Sequence, residues 1–506
     1  MIAFKPFART AVRPLSLTMI LCAALACAMP SAKASQALSK PLPETPVGRL
    51  AGSLIQHVST DKPPEIRKWA QARLSAAIPQ EDRDAFVADL ESAARDSGGL
   101  EVIDARINPR QPEQLQVAVK ARRDGRHALF VLAADAAQAE QFSEAGLHPM
   151  DDPSLYADWP AAPLTQAQLK NLVRKALDRL VQTEDFSGCV SVQAAGEAAF
   201  HECRGAAERT FGTPTSKLTR FHIGSMNKMF TAVAIAQLVE AGKLGWQDSL
   251  AQHVPEYPDQ ASAKKITLWQ LLHHTAGLGD FLVPEYFAHS ERFLNPADYL
   301  DLIARQARVS EPGQQWAYSN AGFMLLGRVI ENSSGENFFD YMQAHVFAPA
   351  NMRASGFDAL DEVVPSLAIG YYRDGLFSRD WKAAWRKLGL KGGPAGGGYS
   401  SNEDLLKFAQ ALRDGRLLKP ATLSQMFENG VPAGPGRYAA GFSDRPSQGR
   451  HIRGHSGGIE GTTANLQIVW ESGAAVALTS NQGPTQNWML VERIADLLAA
   501  TAAAKP

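Results

Sequence analysis

The sequence predicts a mixed α+β protein made of more than one unit. An apolar stretch from Phe221 to Gly245 has the composition of a buried helix, and alternating apolar and polar residues around short turn sequences predict antiparallel hairpins. The chain has 506 residues, which is long enough for several domains. Its formal net charge of −1 gives no electrostatic reason to expect nucleic acid or an anionic membrane as a partner.

Residues 1–34 have the pattern of an export signal. Basic residues precede an apolar run, and small residues around Ala34 supply a cleavage point. Because the apolar run is too short for a membrane span, we expect an exported protein, periplasmic or secreted, with no stable span after cleavage. Lipid attachment through Cys27 is the alternative, although Leu25 lies one position away from its usual place in that motif.

Residues 48–150 predict a small α+β accessory domain between two proline-rich linkers, 35–47 and 151–163. Pro63-Pro64 opens its first helix, a second helix follows, and a hairpin turns at Asp124-Gly125. We expect this domain to fold separately and to have a packing or substrate-guiding role. The reason is that its residues do not combine a nucleophile with a base and an acid.

Residues 164–506 predict the larger domain, in which helices and strands alternate in groups. A helix-rich stretch begins at Ile266 to Asp280, and strands return near the C-terminus. The predicted elements are helices at Leu164 to Val181 and Phe221 to Gly245, a helix capped near Ser401, strands at Tyr438 to Phe442, Gly454 to Gly461, Asn465 to Trp470 and Ala474 to Ser480, and a closing helix at Asn487 to Ala499.

Two cysteines, Cys189 and Cys203, remain once the signal segment is removed. They flank a hairpin pattern whose three-residue loop is centred on Gly196, and this loop places them on opposite positions of neighbouring strands. An oxidising compartment favours a disulfide between them, and two buried free thiols are the alternative.

Ser225 stands where the predicted buried helix begins, and Lys228 follows one turn later. Residues three apart on a helix are neighbours, at about 5–6 Å between Cβ atoms. A buried lysine is costly to charge, so its pKa should fall and its amine can accept the proton of the serine. The N–H groups at the start of the helix favour negative charge at the same place. The pair is therefore predicted to be a nucleophile with its activating base.

The S-x-x-K spacing alone is weak evidence, because it occurs twice more in this chain. One copy begins at Ser59 and runs directly into prolines, and the other begins at Ser262 in a polar turn. Neither opens a buried helix. The structural context, rather than the spacing, selects Ser225.

A second motif, Tyr318-Ser319-Asn320, precedes a predicted helix. A tyrosine near a lysine can be held partly ionised and share the removal of a proton, and an asparagine amide can hydrogen-bond a substrate carbonyl. The alternative is a tyrosine that only caps its own helix.

A third motif, His455-Ser456-Gly457-Gly458, lies within predicted strand residues. Glycines would let this strand approach an acyl centre, where the N–H groups of Gly458 and Ser225 can form an oxyanion hole. Ser456, with Asn320, is expected to orient the substrate. His455 is expected to return a proton to the leaving group, and activity should fall as it is protonated near pH 6.5.

Two other patterns have a superficial likeness to metal or phosphate sites. His273 and His274 are adjacent, but no third ligand follows at a suitable spacing, so we expect them to position the end of a helix. The glycine-rich segment 392–398 lacks the lysine-serine ending of a phosphate-binding loop. No metal or cofactor is predicted.

Taken together, the three motifs resemble those of the serine β-lactamase and penicillin-binding family. Ser225 to Lys228 matches its S-x-x-K, Tyr318 to Asn320 its Y-x-N, and His455 to Gly457 its K/H-T/S-G. The chain is most similar to the class C β-lactamases and their relatives, the D-Ala-D-Ala carboxypeptidases, D-aminopeptidases and esterases. The resemblance implies an antiparallel sheet flanked by helices, with an all-α region packed on it and the site between them.

His455 departs from the class C β-lactamases, which carry lysine there. The resemblance therefore implies an exported serine hydrolase that acts through an acyl-enzyme on an ester or amide, of the esterase, D-amino peptidase or carboxypeptidase type. Its substrate is expected to be a small molecule or peptide, with the cell wall as a candidate source. The alternatives are a sensor or scaffold that acylates but turns over poorly, and a true class C-like β-lactamase.

Overall fold

The protein is described here by a computed structural model. It describes residues 42–108, 111–160, 163–183, 186–483, 485 and 487–501. The predicted signal segment and Cys27 lie outside these residues. Within the described part of the chain, every helix is too short or too polar to cross a membrane.

The helices and strands are numbered separately along the chain. The α-helices are α1 (Pro46–Thr60), α2 (Pro63–Arg73), α3 (Gln80–Asp96), α4 (Gln166–Gln182), α5 (Asn227–Glu240), α6 (Leu250–His253), α7 (Gln260–Ala263), α8 (Leu268–Leu272), α9 (Pro284–Ala288), α10 (Leu300–Ala304), α11 (Asn320–Ser334), α12 (Phe338–Tyr341), α13 (Asn402–Arg413), α14 (Pro420–Glu428) and α15 (Trp488–Thr501). The strands are β1 (Leu100–Asn108), β2 (Gln111–Ala121), β3 (His127–Ala134), β4 (Phe142–Met150), β5 (Gly188–Gln193), β6 (Phe200–Arg204), β7 (Ala206–Glu208), β8 (Thr213–Pro214), β9 (Phe221–His222), β10 (Tyr371–Arg373), β11 (Trp381–Ala383), β12 (Tyr399–Ser400), β13 (Val431–Ala433), β14 (Gly436–Ala439), β15 (Phe442–Ser447), β16 (Arg450–Ile459), β17 (Thr462–Val469) and β18 (Ala475–Ser480).

The N-terminal unit is a four-stranded antiparallel meander, β1-β2-β3-β4, packed against α1, α2 and α3. The helix openings and the Asp124-Gly125 turn lie where the sequence predicts them. Two elements were missed. Helix α1 begins at Pro46, inside the predicted linker 35–47, because Thr45 caps it by accepting a hydrogen bond from the Gly48 N–H. Strand β4 completes the sheet after the predicted hairpin.

The larger unit is built on one eight-stranded antiparallel sheet in the order β13-β14-β15-β16-β17-β18-β5-β6. Helices α4 and α15 cover one face, with an apolar core between them and the sheet. The other face packs against the helix-rich region, in which α5 and α11 are central. An antiparallel sheet flanked by helices, with an all-α region on one side, is the predicted fold class, and it is confirmed.

The predicted strand Tyr438 to Phe442 is wrong as a single element. Strand β14 ends at Ala439 and β15 begins at Phe442, and the corner between them has positive φ at Ala440 (31°) and Gly441 (84°). The corner lies directly on α5, since a Cβ on Gly441 would approach the Lys228 carbonyl oxygen to 2.9 Å. Glycine allows both the left-handed conformation and this close approach.

The predicted cysteine hairpin is formed by β5 and β6, with Cys189 opposite Cys203 in the register. The structure joins the two residues in a disulfide. Cys189 is buried in a small apolar cluster with Ala207, Phe221 and Ala368.

The two units share part of their core. Phe377, in the loop between β10 and β11, is 1% exposed and packs within the apolar core of the N-terminal unit. The Arg126 guanidinium, itself buried, donates hydrogen bonds to the carbonyl oxygens of Leu376 (2.8 Å) and Ser378 (3.0 Å) in the same loop. We therefore propose that the accessory domain extends from Pro46 to residue 150 and is completed by Phe377 from the larger domain.

Replacement of Phe377 by alanine should lower the free energy of unfolding of the full-length protein. The expected loss is about 3–5 kcal/mol, because a buried phenylalanine ring would be replaced by a cavity. Urea denaturation followed by tryptophan fluorescence measures this loss.

Phe211 is the matched control, since its side chain is 90% exposed. Phe211→Ala should change the stability by less than about 0.5 kcal/mol. Equal effects of the two substitutions would contradict the shared core.

Candidate active site

Ser225 lies in a single 3-10 turn, Gly224–Met226, that leads directly into α5. Strand β16 passes so close to this turn that a Cβ on Gly457 would approach the Ile223 carbonyl oxygen to 1.9 Å and the Ser225 nitrogen to 2.9 Å. The strand therefore needs glycine at this point, as the third motif predicts. Ser225 is only half-buried and opens into a cavity.

Lys228 is fully buried one turn after Ser225. Its Nζ atom donates to three oxygen atoms: Ser225 Oγ at 3.1 Å, Asn320 Oδ1 at 2.8 Å and the Ala395 carbonyl at 2.5 Å. Burial lowers the pKa of Lys228 from 10.5 to about 7, although the carboxylate of Asp280 opposes this shift. A substantial fraction of the amine is therefore neutral at pH 7 and able to accept the proton of Ser225.

Tyr318 also forms a hydrogen bond with Ser225. Burial raises the pKa of Tyr318 well above its usual value; the bond with Ser225 opposes this shift, and Asp280 adds to it. The expectation of a partly ionised tyrosine is therefore not supported, because a phenolate here would lose its hydration. Tyr318 is placed to relay a proton as a neutral hydroxyl, and Lys228 is the better candidate for the base.

Asn320 connects Lys228 to a carboxylate that the sequence analysis missed. Its side-chain nitrogen and its backbone N–H both donate to Asp280 Oδ2, at 2.9 Å and 3.1 Å. This fixes the amide so that its oxygen faces Lys228. Asn320 thus positions the lysine, in addition to any contact with substrate. The sequence gives no local signal for Asp280, which lies 40 residues before Asn320.

The glycine-rich segment 392–398 wraps the backbone around the start of α5. Ala395 supplies one of the carbonyl oxygens bound to Lys228, and the Gly398 N–H donates to Asn227 Oδ1 at 3.0 Å. A Cβ on Gly396 would approach the Gly224 carbonyl oxygen to 3.2 Å. The glycines therefore serve close backbone packing beside Ser225, a role that the sequence analysis missed.

His455 is buried beside the same site, with both ring nitrogens engaged. Nδ1 is bonded to the carbonyl oxygen of Ser456, which can only accept, so Nδ1 carries the hydrogen. Nε2 therefore accepts the hydroxyl proton of Tyr438 at 3.0 Å. Burial, reinforced by the nearby Lys228, lowers the pKa of His455 to about 3.

The expectation that His455 titrates near pH 6.5 is therefore wrong. That value belongs to a solvated imidazole, and this ring is removed from water. His455 stays neutral across the physiological range. Its partner Tyr438 was also missed, because it belongs to no recognisable motif.

His273 and His274 lie at the end of α8, as expected. His273 donates from Nδ1 to the Trp269 carbonyl (2.8 Å) and accepts the Ala440 N–H at Nε2 (3.1 Å). His274 has a φ of 56° and accepts the Ser319 N–H at Nδ1 (3.2 Å). The pair thus ties the end of the helix to the β14–β15 corner and to the Tyr318 turn.

The two other S-x-x-K serines have different surroundings. The Ser59 hydroxyl donates to the Ile55 carbonyl at 2.7 Å, within the last turn of α1. Ser262 accepts a hydrogen bond from Arg308 at 3.0 Å. Both lie outside the lining of the cavity that contains Ser225.

Comparison with known proteins identifies the family of the chain. Residues 173–501 match the Beta-lactamase family model, so the chain belongs to the Beta-lactamase family. It is an enzyme of the serine hydrolase type.

Individual relatives differ in what their names describe. The chain is 31% identical to the putative penicillin-binding protein PbpX of Bacillus subtilis, over 56% of this chain and 68% of the relative. It is 28% identical to the esterase EstB of Burkholderia gladioli, over 53% of this chain and 76% of the relative. The crystal structure of the D-amino acid amidase from Ochrobactrum anthropi superposes with a TM-score of 0.57 at 25% identity, covering 67% of this chain and 100% of the amidase.

The depressed pKa of Lys228 predicts how ester hydrolysis should depend on pH. Below about pH 7 the amine becomes protonated and cannot accept the proton of Ser225. The value of kcat/KM should therefore fall about tenfold for each pH unit below this pKa, and level off above it. A pH profile with a neutral aryl ester measures this.

The matched control is His455→Gln, which removes the titratable group that the third motif assigns to proton return. In this variant, the fall of kcat/KM at acidic pH should keep the same midpoint as in the wild-type enzyme. Loss of this fall in His455→Gln, or a flat wild-type profile between pH 5.5 and 8, would contradict the assignment to Lys228.

Proposed function

We propose that this protein is an exported serine hydrolase that cleaves uncharged esters or amides through an acyl-enzyme on Ser225. The observation that carries the proposal is the neutral, doubly hydrogen-bonded His455 at the position where class C β-lactamases carry lysine. Export rests on the signal pattern of residues 1–34.

In the proposed reaction, Ser225 Oγ attacks the substrate carbonyl while its proton passes to the neutral amine of Lys228. The N–H groups of Ser225 and Gly458 stabilise the oxyanion, and β16 lies close enough to the Ser225 turn to bring the two groups together. The tetrahedral intermediate then collapses with cleavage of the C–O or C–N bond. The leaving group takes the proton from Lys228 through the hydroxyl of Tyr318.

Deacylation repeats the sequence with water as the nucleophile. Lys228 removes a proton from the water, and the same two N–H groups hold the second oxyanion. Collapse then returns the proton to Ser225 Oγ and releases the acid. Ser456, which is exposed beside the cavity, and Asn320 are proposed to orient the substrate.

The charges around the cavity support an uncharged acyl donor. Among the described residues that line it, the lysine and arginine side chains are Lys391 and Arg437. Lys391 Nζ lies 4.0 Å from the centroid of the Phe339 ring, and Arg437 donates to the carbonyl oxygens of Gly430 and Glu428. Both cations thus already have partners. A substrate carboxylate beside the scissile bond would have to compete for them, which disfavours carboxypeptidase and β-lactamase activity.

The second candidate is a penicillin-binding sensor or scaffold that is acylated but turns over poorly. The similarity to a putative penicillin-binding protein of Bacillus subtilis favours it. The esterase and amidase relatives favour turnover of an ester or amide. Cell-wall peptides remain candidate substrates where the cleaved bond lies away from a free carboxylate.

Steady-state and burst kinetics separate these functions. The wild-type enzyme should turn over p-nitrophenyl acetate continuously, with a kcat/KM well above that for a cephalosporin, which carries a carboxylate near its lactam. A single stoichiometric burst with every substrate would support the sensor instead. A cephalosporin preferred over all neutral esters and amides would support a β-lactamase and contradict the proposal.

A substitution at His455 tests the role of charge directly. His455→Lys should raise the cephalosporin-to-ester ratio of acylation rates by about tenfold or more, since a hydrogen bond to a charged group contributes about 1.5–3 kcal/mol. His455→Gln, which stays neutral, is the control and should leave the ratio unchanged. Retained hydrolysis of p-nitrophenyl acetate would show that both variants are folded.

A further inference from the structure

The cavity that contains Ser225 extends to the N-terminal domain. Its volume is about 830 Å³, and one wall consists of residues of the larger domain around Ser225. The opposite wall comes from the N-terminal domain. It contains Ala77 and Ile78 after α2, Ala85 and Phe86 on α3, and Ala145 and Leu147 on β4.

Both walls present apolar side chains to this space. Three residues of the N-terminal core also line the cavity on its N-terminal side: Ile78, Phe86 and Leu147. Phe281, Tyr286 and Met324 face it from the larger domain. Pockets for small molecules usually measure about 300–1,000 Å³, so this cavity is far larger than an acetyl group requires.

The N-terminal wall is held in place rather than loosely tethered. Phe377 of the larger domain is buried in the N-terminal core, and Arg126 binds the carbonyl oxygens beside it. The Ser92 hydroxyl, on α3, adds a hydrogen bond to the Asp374 carbonyl at 3.3 Å. Helix α3 also carries the lining residues Ala85 and Phe86, so this contact fixes the wall relative to Ser225.

Carboxyl side chains border the apolar surface of this wall. Its carboxyl side chains are Asp82, Asp89 and Glu144, and Glu144 accepts two hydrogen bonds of 2.9 Å from Gln114 Nε2. An apolar group would be accepted by the alanine, isoleucine and leucine side chains of this wall.

We propose that the N-terminal domain forms the second half of the substrate-binding site and binds a large, uncharged, apolar group of the ester or amide. This inference rests on the proposed function of Ser225. It assigns the accessory domain a role in choosing the substrate: bulky apolar esters should be preferred over acetate, and the preference should depend on residues that do not touch the catalytic serine.

Filling the cavity from the N-terminal wall tests this proposal. Ala85→Trp and, separately, Ala77→Trp should lower kcat/KM for p-nitrophenyl octanoate or octyl acetate by about tenfold or more, since steric misfit in a pocket changes discrimination by about 10–200-fold. Hydrolysis of ethyl acetate, which is small on both sides of the ester bond, should change by less than about twofold, because this ester does not fill the space beside that wall. A loss with the octanoate places the apolar group on the acyl side, and a loss with octyl acetate places it on the leaving-group side.

Ala72→Trp is the matched control, because Ala72 is exposed on α2 and lies outside the cavity lining. It should change none of these rates. Unchanged rates for both large esters in Ala85→Trp and in Ala77→Trp would overturn the proposal. A loss of ethyl acetate hydrolysis equal to that of the large esters would also overturn it.

A binding measurement separates this inference from the proposed function. Calorimetry with Ser225→Ala and p-nitrophenyl octanoate requires no catalysis, and Ser225→Ala/Ala85→Trp should bind about tenfold more weakly. If the wild-type enzyme hydrolyses no ester but this difference is found, the proposed function fails and the binding site stands. Equal binding to both proteins overturns the binding site.

Discussion

The arrangement of the site depends on one buried amine. Lys228 has lost its contact with water and in exchange donates to three oxygen atoms, on Ser225, Asn320 and Ala395. These oxygens come from three separate segments of the chain, so the amine fixes them relative to one another. Because burial lowers its pKa to about 7, the same residue that organises the site can also act as a base there.

The hydrogen bonds of His455 set the polarity of the site. Tyr438 donates to one ring nitrogen, the Ser456 carbonyl accepts from the other, and burial keeps the ring neutral. The third motif therefore presents an uncharged imidazole, which has neither the positive charge nor the reach of a lysine. A single residue change from the class C pattern, supported by one tyrosine from β14, thus accounts for the proposed preference for uncharged substrates.

The sequence predicted the parts of the fold and site that depend on local patterns. The serine, lysine, tyrosine and histidine motifs were found because each begins a helix or lies in a strand of recognisable periodicity. Asp280, Tyr438 and the Ala395 carbonyl could not be found in this way, because they meet their partners through tertiary contacts between distant segments. Phe377 was missed for the same reason: nothing in its loop indicates that it completes the core of another domain.

The electrostatic expectations failed where burial could not be foreseen. His455 was expected to titrate like a solvated imidazole and Tyr318 to be partly ionised, and the structure instead keeps His455 neutral and disfavours ionisation of Tyr318. The expectation for Lys228 succeeded because the continuous apolar sequence of α5 already indicated burial. Charge states can thus be predicted from sequence only as well as burial can.

The most direct test of this account is covalent labelling of the nucleophile. A fluorophosphonate probe should add a single mass label to the peptide that contains Ser225, and Ser225→Ala should lose both the label and ester hydrolysis. Ser59→Ala and Ser262→Ala, which alter the other two S-x-x-K serines, should keep both. A label retained in Ser225→Ala would contradict the account.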